Sequence, residues 1–309
     1  MKNLAIVIPA YKADFLDRTL SSIENQTCKN FRVYVGDDAS PNNLKAIVDK
    51  YTDKIDLHYT KFDKNLGGSD LVGQWTRCVA LSENEEWIWL FSDDDEMSEN
   101  CVEAFYSKLK NESNKEFLHF NVDIIDEQSN VIKTSSFPKK NISDIDFITK
   151  KLRGEVSSYV VEYIFSRNLY NRVNGFQKFD LAWNSDDATW VKMASISGID
   201  TIMDAKIRWR KSSVNISPND RDLSIVRRKV AANLDYVSFL IKHFDGKCSR
   251  KDLYVPILTW FIVCLIKYKK VLPKIELRKA RLECFRILSM QKISFLGGFY
   301  MFFKGILLK

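Results

Sequence analysis

Three consecutive aspartates, Asp93, Asp94 and Asp95, follow the run "WIWLFS" (Trp87–Ser92), in which five of six residues are apolar or aromatic. Neighbouring carboxylates repel one another, so a buried strand that ends this way needs solvent or a cation at its end. A carboxylate pair at the mouth of a parallel sheet suits a hard divalent cation held through oxygen. Such a cation keeps positions open for phosphate oxygens and neutralises a pyrophosphate leaving group. A solvated turn accounts for the triplet equally well when it is taken alone. Two more groups stand at the ends of predicted strands, Pro9-Ala10-Tyr11 and Asp37-Asp38. Another acid pair, Asp186-Asp187, opens the predicted helix "NSDDATWVKMASISGI", where carboxylates meet the positive end of the helix dipole.

The elements that must position these groups are legible as a pattern. "LAIVI", closed by Pro9, predicts a buried strand, and Leu16, Leu20 and Ile23 then recur at helical spacing. "FRVYVGDD", "IDLHYT" and "EWIWLFS" predict the next three strands; "NLKAIVDKY", "DLVGQWTRCVALS" and "SENCVEAFYSKLK" predict helices. This alternation predicts a doubly wound α/β layer with a largely parallel sheet, which binds ligands beyond the carboxyl ends of its strands. After about residue 117 the alternation stops. "EFLHFNVDII" and "YVVEYIFSR" predict strands separated by a polar segment with a turn at "DEQSN", and from about Asp220 the pattern is helical to the end.

Charge divides the chain. Residues 206–309 carry 23 Lys and Arg against 7 Asp and Glu, a net of +16; the remaining 24 against 33 give residues 1–205 a net of −9. Such a split predicts two parts with different partners. The six cysteines lack C-x-x-C spacing and only three histidines are present, which predicts reduced, buried thiols and no zinc site. No signal-peptide pattern opens the chain, so a cytoplasmic location is expected. "VPILTWFIVCLIKYKK" and "ISFLGGFYMFFKGILLK" are apolar and basic, but the continuous apolar run falls short of the ~20 residues that span a bilayer. They suit the inner surface of a membrane, with lysines on anionic headgroups, or packing on a dimer mate.

"VIPAY", "VGDDAS", "KNLGGS", "FSDDD" and "NSDDATWVKMASISG", in this order and spacing, resemble the inverting glycosyltransferases of family 2. The resemblance covers about residues 1–217. It implies a GT-A fold, a Rossmann-like mixed sheet flanked by helices, over 1–217, followed by a basic, amphipathic helical extension over 218–309. It implies a nucleoside-diphosphate sugar donor, a glycan or lipid-linked acceptor in surface polysaccharide synthesis, and Mn2+ or Mg2+ as cofactor. Pro9, Ala10 and Tyr11 match the segment lying against the base, with Tyr11 placed to stack on it. Asp38 matches the acid that accepts an imide hydrogen of the base, which favours uridine and also suits thymidine. Asn65 and Gly67 match the loop passing the diphosphate. Asp94 matches the direct metal ligand, with Asp93 and Asp95 helping on the ribose or on the metal and its waters. Asp187 matches the catalytic base, with Asp186 the alternative. Trp183 and Trp190 flank that pair and suit either stacking on an acceptor sugar or plain packing.

The sequence also departs from the family. Ser92 stands where many members carry an aspartate, and in "IRWRKSSVNIS" Ser212 stands where a metal-binding histidine is often found. A thinner ligand set follows, with Arg210 or Lys211 as cations that could meet the diphosphate instead. Retained nucleotide binding without turnover is the corresponding alternative. A nucleotidyltransferase is disfavoured, because "PAYKADFLDRTL" replaces the glycine-rich basic loop it would need. Nucleic acid is not expected as a partner, since the basic tail carries no helix-turn-helix, RNA-binding or zinc signature.

Overall fold

A computed structural model of the protein describes residues 3–111, 114–135, 137, 141–212, 220–247 and 249–289. In chain order the elements are β1 (Leu4–Ala10), α1 (Leu16–Glu24), β2 (Arg32–Asp37), α2 (Leu44–Val48), β3 (Leu57–Lys61), α3 (Leu71–Val79) and β4 (Trp87–Leu90). There follow β5 (Glu96–Met97), α4 (Cys101–Asn111), β6 (Phe117–Ile125), β7 (Val131–Ser135), α5 (Asp144–Leu152), β8 (Tyr163–Ser166) and α6 (Arg167–Arg172). The last are α7 (Ser185–Ser197), β9 (Asp200–Arg210), α8 (Leu223–His243), α9 (Arg250–Lys267) and α10 (Lys274–Ser289).

Two compact units result. The first takes Met1–Asp144, Ser157–Gln177 and Lys192–Val214; the second takes Ile145–Val156, Lys178–Val191 and Asn215–Lys309. The resemblance implies one division, at 217, whereas the charge changes sign at 205–206. The inner segments of the second unit carry no charge signal. Among them is the stretch containing Asp186 and Asp187.

The first unit is built on one mixed sheet ordered β3-β2-β1-β4-β8-β6-β9-β5, with β7 paired to β6. Strands β1 to β4 are mutually parallel, as the alternation predicts. β8 then runs antiparallel to both β4 and β6, while β9 is parallel to β6. Strand order reverses at β1, because β2 and β3 lie on one side of it and β4 on the other. The carboxyl ends of β1 and β4 therefore flank the crevice where such sheets take ligands.

Residue chemistry explains these strands. Trp87, Ile88, Trp89 and Leu90 are all buried, so β4 has both faces covered. Trp89 stacks on Phe120 with centroids 5.1 Å apart and donates its indole N–H to the Val161 carbonyl at 2.7 Å. Both tryptophans of β4 are core, and α1 packs on the same core through Leu16, Leu20 and Ile23. From α1, the Thr19 hydroxyl donates to the Asp95 carbonyl at 2.7 Å and so fixes the loop after β4.

In the second unit, α8 and α10 are tied by a forked Arg227–Glu276 pair at 2.7 and 2.9 Å. Asp220 accepts both Lys229, at 2.8 Å, and Lys267, at 2.6 Å. Among the described residues no helix is long and apolar enough to cross a membrane. The segment "ISFLGGFYMFFKGILLK" lies outside the described residues.

Candidate active site

The turn after β1 meets the aspartates after β4. Asp93 Oδ2 accepts the backbone N–H groups of Tyr11 and Lys12, each at 2.7 Å. Asp95 Oδ1 accepts the Arg210 N–H at 2.6 Å, and its Oδ2 accepts the Ser92 hydroxyl at 2.6 Å. Asp94 is held differently, by the Ser92 hydroxyl at 3.0 Å and the Lys12 ammonium at 2.5 Å. Backbone amides and one lysine are thus the positive partners that three adjacent acids require. Burial and then the charge of Asp94 raise Asp93 to about 6, against the opposing pull of Lys12 and the two amides. The same two causes push Asp95 well above the carboxylate range. Burial alone would lower the Lys12 ammonium, but Asp93 and Asp94 outweigh it and hold the group above its ordinary value.

Pro9 lies in β1 opposite Gly36, and the Ala10 carbonyl accepts the Asp38 N–H at 2.8 Å. Tyr11 is 43% exposed, and its carbonyl accepts the Ser40 hydroxyl at 2.6 Å. Asp38 organises the loop that follows β3. Its Oδ1 accepts the Leu66 N–H at 2.7 Å and a guanidinium N–H of Arg77; its Oδ2 accepts from Gly67 N–H at 2.8 Å and Asn65 Nδ2 at 3.1 Å. The acid expected to receive a base hydrogen is therefore already engaged on both oxygens, and Asn65 and Gly67 are its partners.

Arg210 corrects another expectation. It is fully buried, with its guanidinium paired to Glu96 and donating to the carbonyls of Asp94 at 2.8 Å and Asp126 at 2.7 Å. A cation committed inside the fold in this way cannot turn to a diphosphate. Lys211 is exposed and Ser212 is buried. Lys12, not the Arg210 guanidinium, is the side-chain cation that meets carboxylates of the acidic triplet.

Among the described residues no three His, Cys, Asp or Glu side chains come together as a metal cage. Asp95, expected to assist a metal, has one oxygen on the Arg210 amide and the other on Ser92. Asp94 remains as a hard carboxylate whose contacts are side chains. One carboxylate completed by phosphate oxygens and water is a donor set that suits magnesium or manganese.

The second acid pair is built within the second unit. Asp187 is 5% exposed and pairs with Lys151 of α5 at 3.0 Å. Asp186 keeps part of its surface open, yet burial and then the Asp187 charge raise it to about 7, with Lys151 opposing. The loop before α7 bends sharply: Leu181, Ala182 and Asn184 all have positive φ, at 57°, 54° and 62°. Non-glycine residues pay about 1 kcal/mol or more each for that conformation, so outside contacts must hold it. Asn233 of α8 accepts from Trp183 Nε1 at 2.9 Å and Asn184 Nδ2 at 3.0 Å, and Arg228 clasps Asp180 at 2.7 and 2.9 Å. Lys229 stands 4.3 Å from the centre of the Trp183 ring. Trp190 is fully buried, so it packs and offers no face to a sugar. Tyr236 of α8 is buried with a hydroxyl that has no hydrogen-bond partner among the described residues; burial, then Asp187 and Asp186, push it well above its ordinary value.

The model of the glycosyl transferase family 2 matches residues 5–172, more than half of the chain. The chain belongs to glycosyl transferase family 2. A curated relative, the Campylobacter jejuni GalNAc(5)-diNAcBac-PP-undecaprenol beta-1,3-glucosyltransferase, is 24% identical over 210 residues, 62% of this chain and 60% of its own length. The poly(ribitol-phosphate) beta-N-acetylglucosaminyltransferase TarS of Staphylococcus aureus is 30% identical over 99 residues, 31% of this chain and 17% of its own. Against solved structures, S. aureus TarS 1–349 in complex with UDP gives a TM-score of 0.57 at 16% identity, covering 93% of this chain and 89% of that one. The mannosyltransferase PcManGT of Pyrobaculum calidifontis, in complex with GDP-Man and Mn2+, gives 0.52 at 12% identity, covering 99% and 80%. These likenesses establish the GT-A fold for this family 2 chain.

Sequence reading of the family 2 site missed three side chains. Lys12 carries a weak signal, being the only cation within four residues of the end of β1. Lys151 and Asn233 carry none, because their roles depend on helices that approach the acid pair only through tertiary contacts.

Proposed function

We propose that the protein is an inverting glycosyltransferase that moves a sugar from a nucleoside-diphosphate donor, in the first instance uridine-linked, to a hydroxyl of a glycan or lipid-linked acceptor. The observation that carries this reading is the meeting of Asp94 and Lys12 at the carboxyl ends of β1 and β4, where strand order reverses. Names of relatives that act on undecaprenol-linked and polymeric acceptors support the acceptor class, and the UDP complex of TarS supports the donor class.

In this mechanism Tyr11 stacks on the base, and the loop shaped by Asp38 presents Asn65 and Gly67 to the diphosphate. Asp94 would hold a divalent cation, magnesium or manganese, which would supply neutralisation of the leaving diphosphate. Asp187 takes the proton of the acceptor hydroxyl, whose oxygen attacks the anomeric carbon as the bond to the diphosphate oxygen breaks. One in-line displacement inverts that carbon. The ion pair to Lys151 favours an alternative in which Asp187 stays paired and Asp186, near 7, accepts the proton.

A membrane surface suits the second unit. Val255, Val263 and Ile266 are exposed along one face of α9, and Ile275 and Leu282 along one face of α10, in the basic third of the chain. Apolar side chains rimmed by lysines are the combination that binds anionic headgroups.

Calorimetric titration with UDP, with and without Mn2+, on wild type and Asp94→Ala tests the donor reading. Saturable binding that Mn2+ strengthens and the substitution weakens is expected. Absence of binding to UDP and to other nucleoside diphosphates would remove it.

A further inference from the structure

Lys12 is placed by the fold rather than by chance contact. Its own N–H and that of Tyr11 are fixed on Asp93, so the main chain cannot move away from the triplet. From that anchored position the ammonium reaches Asp94 Oδ2 at 2.5 Å and stands 3.9 Å from Asp93 Oδ1. The pair is largely withdrawn from solvent, with side chains 21% and 12% exposed, so water screens it poorly. The other two acids are engaged by backbone amides and by Ser92. The nearby guanidinium, Arg210, is committed to Glu96 and to main-chain carbonyls. Lys12 is thus the side-chain cation on the one acid suited to a divalent ion.

We propose that Lys12 is a tethered counter-cation of the donor site, which occupies the metal's place on Asp94 until a nucleoside diphosphate arrives. A divalent ion and an ammonium cannot share the same carboxylate oxygen. In the nucleotide-free protein the ion would have to displace Lys12 with only water to complete its shell. A diphosphate changes both sides of that exchange: it supplies oxygen ligands to the ion, and it gives the displaced ammonium a new anionic partner. Metal and nucleotide therefore bind together, and metal alone binds weakly. The inference rests on the donor-site reading for its second half only, because competition between Lys12 and a metal for Asp94 is measurable without nucleotide.

The test uses the full chain and Mn2+ alone, with bound and free ion resolved by electron paramagnetic resonance. Lys12→Met should tighten Mn2+ binding to the nucleotide-free protein by roughly tenfold, and the gain should vanish in Lys12→Met/Asp94→Ala. Lys12→Gln, which keeps a hydrogen-bond donor beside Asp94, repeats the measurement if the methionine variant does not fold. Unchanged Mn2+ affinity in the folded variants overturns the proposal. Equal tightening in the Asp94→Ala background also overturns it, since the effect would then be a diffuse charge rather than occupancy of Asp94. Calorimetry with UDP in metal-free buffer completes the experiment, and weaker binding to Lys12→Met than to wild type is expected. If UDP binds wild type and the variant equally, the transfer of Lys12 to the diphosphate is overturned. If UDP binds neither protein even when Mn2+ is added, the donor reading fails, while the Mn2+ result still decides the competition.

Discussion

A Cβ placed on Gly67 would stand 2.7 Å from Asp38 Oδ2, the oxygen that accepts the Gly67 N–H at 2.8 Å. The loop after β3 can close on Asp38 only because this residue has no side chain. Asp38 cannot yield, being 3% exposed and held by Arg77 and Leu66 as well.

Gly67→Ala should therefore open the loop and weaken UDP binding by roughly tenfold or more, a loss of about 1.4 kcal/mol. Gly68→Ala is the contrast: its Cβ would meet only the exposed Asn65 side chain, whose displacement breaks its own bonds to Asp38 and Gly68 but leaves those of Leu66, Gly67 and Arg77 to Asp38 in place. Calorimetry on both variants should show the larger loss at Gly67, and equal losses would mean that the Asp38 contact does not shape the loop.

Arg210 is a buried charge whose partners are Glu96 and backbone carbonyls. Removing one member of a buried pair strands the other, at a typical cost of about 3–5 kcal/mol. Arg210→Met should lower the urea midpoint accordingly, and the double variant with Glu96→Leu should recover part of the loss. Both are read from the denaturation midpoint at constant slope.

Asp186, raised to about 7, sets a pH dependence. Between the ordinary carboxylate range and about 7 the folded state binds more protons than the unfolded one. Stability contributed here is therefore present at low pH and lost as pH rises through that window. Asp186→Asn should flatten that slope in thermal melts. If Asp186 is the base, transfer should rise with pH through the same window and collapse in the variant. Lys151→Met removes a charge that opposes the shift, so the limb should move to higher pH. A limb that stays in place in both variants would assign the base role away from Asp186.

Asn233 holds the left-handed loop before α7 through Trp183 and Asn184. Asn233→Ala leaves their half-buried donors without that acceptor, which costs about 1 kcal/mol, the low end of the range for a stranded donor, because water reaches them in part. A lower melting temperature with UDP affinity preserved is the expected pair of results. Loss of UDP binding alongside would mean that this anchor also serves the donor end.

Sequence by itself determined the first half of the sheet. Alternating apolar strands and helices from Leu4 to Asn111 need only local periodicity, and the acids at Asp38 and Asp94 fall at strand ends because a parallel sheet puts polar groups there. The family pattern is local in the same sense, since each motif is a short run with a fixed neighbour. Tertiary structure decided the rest. "DTIMDAKIRWR" carries charges at several positions and does not announce a strand, yet β9 pairs with β6 at residues 200–202 and again at 206–210, across a break in register, and buries Arg210 completely. That burial is tolerable only because Glu96, 114 residues earlier, meets the guanidinium. Lys12 at Asp94, Lys151 at Asp187 and Asn233 at Trp183 are likewise encounters between residues tens of positions apart. Short motifs fix which residue types can do chemistry; long-range pairing and the cost of an unpartnered buried charge fix which of them face one another.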